Sequence, residues 1–455
     1  MTKDYNASVK RTRIAVILTC TVLVLGICIF ALATYLGSRG IEPEDEIRAA
    51  IESGESSGDT VTAQLKDFGI RGFQAQKLKL IEQYFDAYYY KELPSVSELA
   101  RDTALMFLDY YYDEIDLNDN TAVTDAICTC YVTVIGDPYA YYFTEEEYSD
   151  YLSDMSGDES SVGIGVYVEL DYVKNTVKVT SVFPDSAAEE AGILPGDYII
   201  GVDGQLAEDV GVNEMTALIA GEVGTEVSLT VKRGDDVLTI VATRRELSDV
   251  TVLYELDENK IGYILVSQFK ENTPEQFYEA IDYMTENGAV GIVFDMRNNP
   301  GGLLDAVVAM IDYIAPDGNR IASYQIGTDS KTVFTAEDGH SVNLPIAVLC
   351  NGNTASAGEL FTAAMRDYGK SGVLNTVIVG ETTYKKGIMQ SSFSLFDGSA
   401  IKLTIAFYNP PSDVNYDGFG VEPDVRITND GETDDQLNAA KEAIINMIKD
   451  ASVAM

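Results

Sequence analysis

Apolar positions along this chain change their spacing from one region to the next, and each spacing predicts a different kind of element. Ile14 to Leu36 is an unbroken uncharged run, long enough at about 1.5 Å per residue to cross a bilayer as a helix. Residues 37–73 are acidic, with Gly and Ser interspersed, as in Glu42-Pro43-Glu44-Asp45-Glu46 and Ser53-Gly54-Glu55-Ser56-Ser57-Gly58, and predict a solvated linker or stalk. Over 74–161 apolar residues recur at three and four, Leu78, Ile81, Tyr84, Phe85 and Tyr88 among them, which predicts helices. Over 162–246 the pattern shortens to strands: Tyr167 to Leu170, Thr176 to Val182, Glu226 to Arg233 and Val237 to Arg244, with one helix near Asn213 to Ile219. From 247 to 455 strands alternate with helices. Ile261 to Ser267, Val290 to Asp295 and Ile346 to Cys350 read as buried strands, and Thr273 to Asn287 and Leu303 to Ile314 as helices, a pattern that predicts an α/β core. The chain is therefore expected to be multidomain, mixing α/β and α+β parts.

Charge narrows the partners. Lys and Arg number 31 against 73 Asp and Glu, a net charge of −42. Such a chain is repelled by nucleic acid and anionic lipid headgroups, so no nucleic-acid partner is expected. The N-terminus differs: Lys3, Lys10, Arg11 and Arg13 precede the apolar run. A basic flank predicts that 1–36 is a cytoplasmic tail plus a single-pass anchor, with everything after Gly37 outside the cytoplasm. A cleaved signal peptide competes, since Ala31-Leu32-Ala33 resembles a cleavage site. The five cysteines show no zinc spacing, and no metal or cofactor is expected.

Candidate chemistry centres on Ser356. Turn residues Asn351-Gly352-Asn353 follow the strand ending at Cys350, and from Glu359 the pattern Leu360, Ala363, Ala364, Met365 predicts a helix. Ser356 then lies near a helix N-terminus, where free N–H groups favour developing negative charge. An N-cap serine has the same address. A Ser-His-Asp triad would need His340, the only histidine, which sits in the turn Glu337-Asp338-Gly339-His340. A G-x-S-x-G elbow fails at Thr354. Ser267-Gln268-Phe269-Lys270 fits S-x-x-K, but no S-D-N or K-T-G accompanies it. There remains a serine–lysine dyad, in which burial lowers a lysine's pKa until the neutral amine can act as base. Lys385 and Lys386 follow the strand Val377-Ile378-Val379, and the Gln390 amide could orient the Lys386 amine if that segment is helical. Backbone N–H groups of Pro300-Gly301-Gly302 and after Ser356 could hold an oxyanion.

Two resemblances bear on these residues. The order of elements over 162–246, with Ala191-Gly192-Ile193-Leu194-Pro195-Gly196-Asp197 and Asp203-Gly204, resembles a bacterial PDZ domain. That implies that Gly163, Ile164, Gly165 and Val166 grip a peptide's C-terminal carboxylate. Asp295 to Leu303, Thr354-Ala355-Ser356-Ala357 with Glu359, Lys386-Gly387 with Gln390, Asp137-Pro138-Tyr139, Asp397 to Thr404 and Gly420-Val421-Glu422-Pro423-Asp424 resemble, in order, the blocks of the C-terminal processing (tail-specific) peptidases. The resemblance implies that 247–455 is a protease core with a C-terminal helix. It also implies that Ser356 is the nucleophile, Lys386 the general base and Gln390 its orienting residue, with Gly301 and the Ala357 N–H as oxyanion hole. Expected partners are protein or peptide substrates with free C-termini and, through the anchor, the membrane; a homo-oligomer is left open. The competing reading is a catalytically silent PDZ scaffold or adaptor at the membrane surface.

Three departures from the family pattern stand out: Gly358 replaces a serine, Lys385 replaces the glycine before the base, and the Ser356 to Lys386 spacing is a few residues long. Asp413, Asn415, Asp417, Gly418 and Asp424 also mimic a calcium loop, although Gly420 to Asp424 is already accounted for by the family turn.

Overall fold

The computed structural model describes residues 41–54, 56, 58–157, 161–171, 176–183, 186–247, 249–429 and 433–454. The expected transmembrane segment, 14–36, lies outside the described residues, and among those described no helix is long and apolar enough to cross a membrane. The chain forms two compact units, one of residues 1–148 and 390–405, the other of 149–389 and 406–455.

The first unit is mainly helical over its described residues. Ala75–Tyr88, Val96–Tyr110 and Asn120–Val134 are its longer helices. Ser95 and Glu98 form a full capping box at the second of these, and Asp119 caps the third. The expected linker over 37–73 is corrected here: Glu44–Ser53 and Val61–Asp67 are helices. Their apolar residues are sparse but placed on one side, and Ile47, Val61, Leu65 and Ile70 are each at most 1 % exposed. Burial of that face offsets the ordering of an otherwise polar segment. Within this unit Lys77 is 2 % exposed, and its amine bonds Asp125 at 3.1 Å and Asp397 at 2.9 Å. The strand Tyr141–Phe143 pairs antiparallel with Ala400 to Lys402.

The second unit holds two sheets of different construction. Val166–Asp171, Thr176–Val182, Tyr198–Val202, Glu226–Arg233 and Asp236–Thr243 form an antiparallel sheet in that order, and Gln205–Leu206 pairs with Tyr198–Val202. Its alternate residues Val227, Leu229 and Val231 pack on Met215 and Ile219 of the helix Val212–Ile219. The other sheet has the order Val252–Leu256, Ile261–Val266, Gly291–Asp295, Ile346–Cys350, Thr376–Gly380, Val425–Arg426. After the first antiparallel pair every pairing is parallel. Its central strands are apolar on both faces because both are covered. Ile292, Phe294, Ile346 and Val348 meet the helices Thr273–Glu286, Leu304–Ile314 and Ala357–Ser371, while Val293, Ala347 and Leu349 meet Ala440 and Ile444 of Asp435–Ala454. Cys350 is core packing, 0 % exposed.

Candidate active site

The neighbouring parallel strands Gly291–Asp295 and Ile346–Cys350 end side by side, and the loops at their carboxyl ends carry the candidate chemistry, the usual place for a site in such a sheet. Asparagines tie those loops together. Asn298 Oδ1 accepts from Asn351 and Asn353 Nδ2 at 2.9 and 3.0 Å, and the Ala355 N–H donates to Asn299 O at 2.9 Å. Gly301, at φ +103°, lies so close to the Ser356 loop that a Cβ on it would meet Ser356 Cβ at 2.7 Å and Ala357 N at 3.0 Å. Its own N–H, however, donates to Asn299 Oδ1 at 2.8 Å.

The Ser-x-x-Lys match has a different use. Ser267 Oγ donates to Thr251 O at 3.2 Å, and Lys270 Nζ bonds Asp154 at 2.5 Å and Asp249 at 2.7 Å. Between them Phe269 exchanges backbone bonds with the glycine turn, its N–H to Gly301 O at 3.0 Å and its carbonyl from the Leu303 N–H at 2.8 Å. That segment supports the turn. His340 stacks on Tyr313 with ring centroids 4.3 Å apart and faces Asp338.

Ser356 stands at φ +53°, ψ −116°, directly before the helix Ala357–Ser371. Positive φ is costly for a residue with a Cβ and is seen where surrounding contacts impose it. Ser356 is the N-cap residue of that helix, its N–H taken by Glu359 Oε2 in the manner of a capping box, so the capping and the chemical address coincide. Its hydroxyl lies 3.4 Å from Tyr408 Oη, which is also 3.3 Å from Lys386 O. Tyr408 has one proton to offer those two oxygens. Burial pushes its phenol well above the ordinary value, which keeps that proton in place.

Glu359 joins the serine and lysine loops. Its carboxylate is 0 % exposed. Oε2 accepts the N–H groups of Ser356 at 3.0 Å and Lys386 at 2.7 Å, and Oε1 accepts the Lys385 N–H at 2.7 Å and the Thr383 hydroxyl at 2.5 Å. All four contacts are drawn as donors to it, a set that favours the ionised form. Burial nonetheless raises its pKa above the ordinary value, against the pull of Thr383 and the three amides. One buried carboxylate thus holds the backbone of both the Ser356 and the Lys386 loop.

Lys385 and Lys386 differ in setting. Lys385 is exposed and Lys386 half-buried, and burial is one way to make an amine a base near neutral pH. Lys385 holds φ +89°, a conformation natural to the glycine it replaces. Gln390 begins the chain's return to the first unit. The helical reading of its segment is corrected: Ile388–Ser394 is a strand, three of its residues serines, and the Gln390 amide donates to Thr404 Oγ1 at 3.3 Å.

The calcium-loop reading is also corrected, because its oxygens are spent within the protein. Asp413 faces Lys331, Arg320 and Ser323, Asn415 donates its amide to two carbonyls, Asp417 accepts the Gly387 N–H, and Asp424 accepts the Ile378 N–H. Among the described residues no cluster of His, Cys, Asp or Glu could hold a metal ion.

In the loop proposed for carboxylate capture, Gly165 stands at φ +85° and a Cβ there would meet Ser186 Cβ at 2.4 Å. Ile164 O and Gly165 O accept the Ala188 and Phe183 N–H groups. Val166 opens the first strand of the antiparallel sheet, and Gly163 closes the short strand Ser161–Gly163.

Residues 260–427 match the model of Peptidase family S41, and 178–233 that of a PDZ domain. A probable CtpA-like serine protease of Staphylococcus haemolyticus is 32 % identical over 379 residues, 83 % of this chain and 70 % of that one. The chain belongs to peptidase family S41. The carboxy-terminal processing protease CtpA of Bacillus subtilis is 34 % identical over 299 residues, 66 % of this peptidase and 61 % of its own length. A putative S41 protease from Bacteroides fragilis shares the fold, with a TM-score of 0.57 at 18 % identity over 81 % of this chain and 97 % of the other. Like its family, the peptidase is a serine-type enzyme with a PDZ domain. Glu359 and Tyr408 are the site residues that sequence reasoning missed. Glu359 stood inside a quoted block, so its fixed spacing from Ser356 was a usable signal; Tyr408 carried none.

Proposed function

We propose that this peptidase is a membrane-anchored endopeptidase, acting outside the cytoplasm, that cleaves proteins presented by their C-termini, and that its dyad is Ser356 and Lys386. The observation that carries the assignment is the shared Glu359 carboxylate, which binds the Ser356 and Lys386 N–H groups on one oxygen. In this reading the neutral Lys386 amine takes the Ser356 hydroxyl proton as Oγ attacks the peptide carbonyl carbon. The carbonyl π pair moves to oxygen, and the oxyanion is met by the Ala357 N–H at the helix start and by the Gly301 turn. Since the Gly301 N–H is given to Asn299 here, its use requires that bond to be exchanged for the oxyanion. Collapse breaks the C–N bond, the Lys386 ammonium protonates the leaving amine, and water activated by the same lysine releases the acyl group. Gln390 is assigned to orient Lys386 in the substrate-bound state.

The Gly163-Ile164-Gly165-Val166 loop would receive the substrate's terminal carboxylate on backbone N–H groups while the substrate extends the Val166–Asp171 edge. Anchoring rests on the basic flank and apolar run before Gly37, and self-association is left to experiment. The scaffold alternative has no observation in its favour, since serine, lysine and glycine turn are all present. The test is cleavage of casein, an unfolded protein, by the full chain. Ser356→Ala and Lys386→Ala should abolish it, and full activity of Lys386→Ala would refute the base. A model peptide with an amidated C-terminus should be cut more slowly than its free acid; equal rates would remove the carboxylate role.

A further inference from the structure

The loop that imitates a calcium site grips the lysine segment instead. Every backbone polar group from Lys385 to Gly387 has a partner. The Lys385 and Lys386 N–H groups go to Glu359 at 2.7 Å each. Lys385 O accepts the Gly418 N–H at 3.0 Å, and Lys386 O accepts from Tyr408 Oη at 3.3 Å. The Gly387 N–H donates to Asp417 Oδ1 at 3.0 Å, and Gly387 O accepts from Asn415 Nδ2 at 2.8 Å. Three of these partners, Asn415, Asp417 and Gly418, lie within four residues of one another. Asn415 is itself fixed in orientation: Nδ2 also donates to Tyr408 O at 2.8 Å, and Oδ1 accepts the Asp417 N–H at 2.7 Å. The loop's base is rooted by Asp413, at φ +66°, on Lys331, Arg320 and Ser323. Contact is close enough that a Cβ on Gly387 would fall 2.7 Å from both Asn415 Oδ1 and Asp417 N.

We propose that Asn415 and Asp417 are positioning residues for the general base, holding Gly387 so that the Lys386 side chain is aimed at Ser356. The proposal rests on the dyad reading above. Without Asn415 and Asp417 the segment keeps the Glu359 bonds and those from the Tyr408 hydroxyl and N–H, but the Gly387 N–H has no acceptor and the Gly387 carbonyl loses its shorter bond. Held from the Glu359 side and from the Asn415 side, the segment has one position. A displacement of about 1 Å in a catalytic group can cost on the order of 100-fold in rate, which is what this second grip prevents. The titratable groups around the segment are Glu359, Tyr408, Asp417 and the adjacent Lys385.

The test uses the full chain with casein, rates being referred to Ser356 titrated by a fluorophosphonate. Asn415→Ala and Asp417→Ala should lower kcat by roughly 10- to 100-fold and leave KM within about twofold of the parent. They should also move the acid limb of the kcat profile to higher pH, because a loosened amine is better solvated and holds its proton longer. Asp417→Asn keeps an acceptor oxygen and should retain most of the activity. If Asn415→Ala fails to fold, Asn415→Ser carries the same comparison. A purely structural role would lower the melting temperature and the titratable fraction but leave kcat per titrated serine and the pH limb where they are; that result overturns the proposal. Lys386→Ala separates the two ideas. If it is active the dyad itself fails; if it is dead while Asn415→Ala keeps the parent's kcat and pH limb, only the positioning role fails.

Discussion

The second unit contains two serine–lysine pairs, Ser267 with Lys270 and the proposed Ser356 with Lys386, and their surroundings differ. At Ser267 and Lys270 the amine sits between Asp154 and Asp249, and the hydroxyl is given to a carbonyl. Burial alone would lower the Lys270 pKa, but the two carboxylates outweigh it and hold the ammonium above its ordinary value. A lysine so paired cannot take a proton from serine near neutral pH. Around Ser356 and Lys386 the nearby buried carboxylate, Glu359, accepts backbone N–H groups of both loops and the Thr383 hydroxyl. The charge there shapes the backbone. The difference teaches that a buried carboxylate can serve a side-chain ammonium, as at Lys270, or the backbone of two loops, as at Glu359.

The largest expected effect that could break this contrast is on Ser356 and Lys386. Alanine at either should reduce casein cleavage by about 10⁴-fold or more, whereas Ser267→Ala should leave cleavage within roughly tenfold and Lys270→Met should act mainly by lowering the melting temperature, since it strands two carboxylates. Loss of activity in Ser267→Ala with retention in Ser356→Ala would exchange the two assignments. Next comes Glu359→Gln. Its amide nitrogen must face a donor, so kcat should fall by about 100-fold with the chain still folded; an unchanged kcat would mean that the shared carboxylate does not set the geometry.

A smaller effect is expected at Lys385. Because it holds φ +89°, Lys385→Gly should keep activity and gain up to about 1 kcal/mol of stability, while Lys385→Ala should keep activity without that gain. Thermal unfolding with parallel assays measures both, and loss of cleavage in Lys385→Gly would move the base to Lys385. The smallest concerns the other unit, where a buried lysine is again neutralised. Burial would raise the Asp397 carboxyl, but Ser399 and Lys77 outweigh it and hold it below its ordinary 3.8. A depressed carboxylate stabilises the fold fully above its unfolded value, and that contribution is lost as pH falls through the folded value. The melting temperature of the parent should therefore decline more steeply than that of Asp397→Asn from about pH 4 downward; parallel curves would mean that the pairing contributes nothing.

Much of the fold was readable because periodicity reports burial. The strand Ile346–Cys350, the helix before Ile314 and the sheet over 166–243 lie within a residue or two of their expected bounds. The linker was misread because an acidic surface hid a few well-spaced apolar residues such as Ile47 and Leu65. Within the proposed site, that the Ser356, Lys386 and Gly301 loops would lie together was legible from local composition and family blocks. Glu359 as a bridge was not, because its partners Lys385 and Lys386 are over two dozen residues away and reach it only through the parallel sheet. The Asp413 to Gly418 spacing was legible as a pattern but not in use, since side chains that could ligate a cation can equally hold a backbone. Gln390 was placed on a helix because the i, i+4 spacing suits one, and the strand at Ile388–Ser394 shows that spacing alone does not decide.

The most direct measurement is the pH dependence of Ser356 modification by a fluorophosphonate, with the adduct located by peptide mapping, in the parent and in Lys386→Ala. The account predicts an adduct on Ser356 alone, forming with a sigmoidal pH profile whose midpoint lies below that of an ordinary lysine, and a large loss of that rate in Lys386→Ala. An adduct on Ser267, or a Lys386→Ala chain that labels Ser356 as fast as the parent, would contradict it.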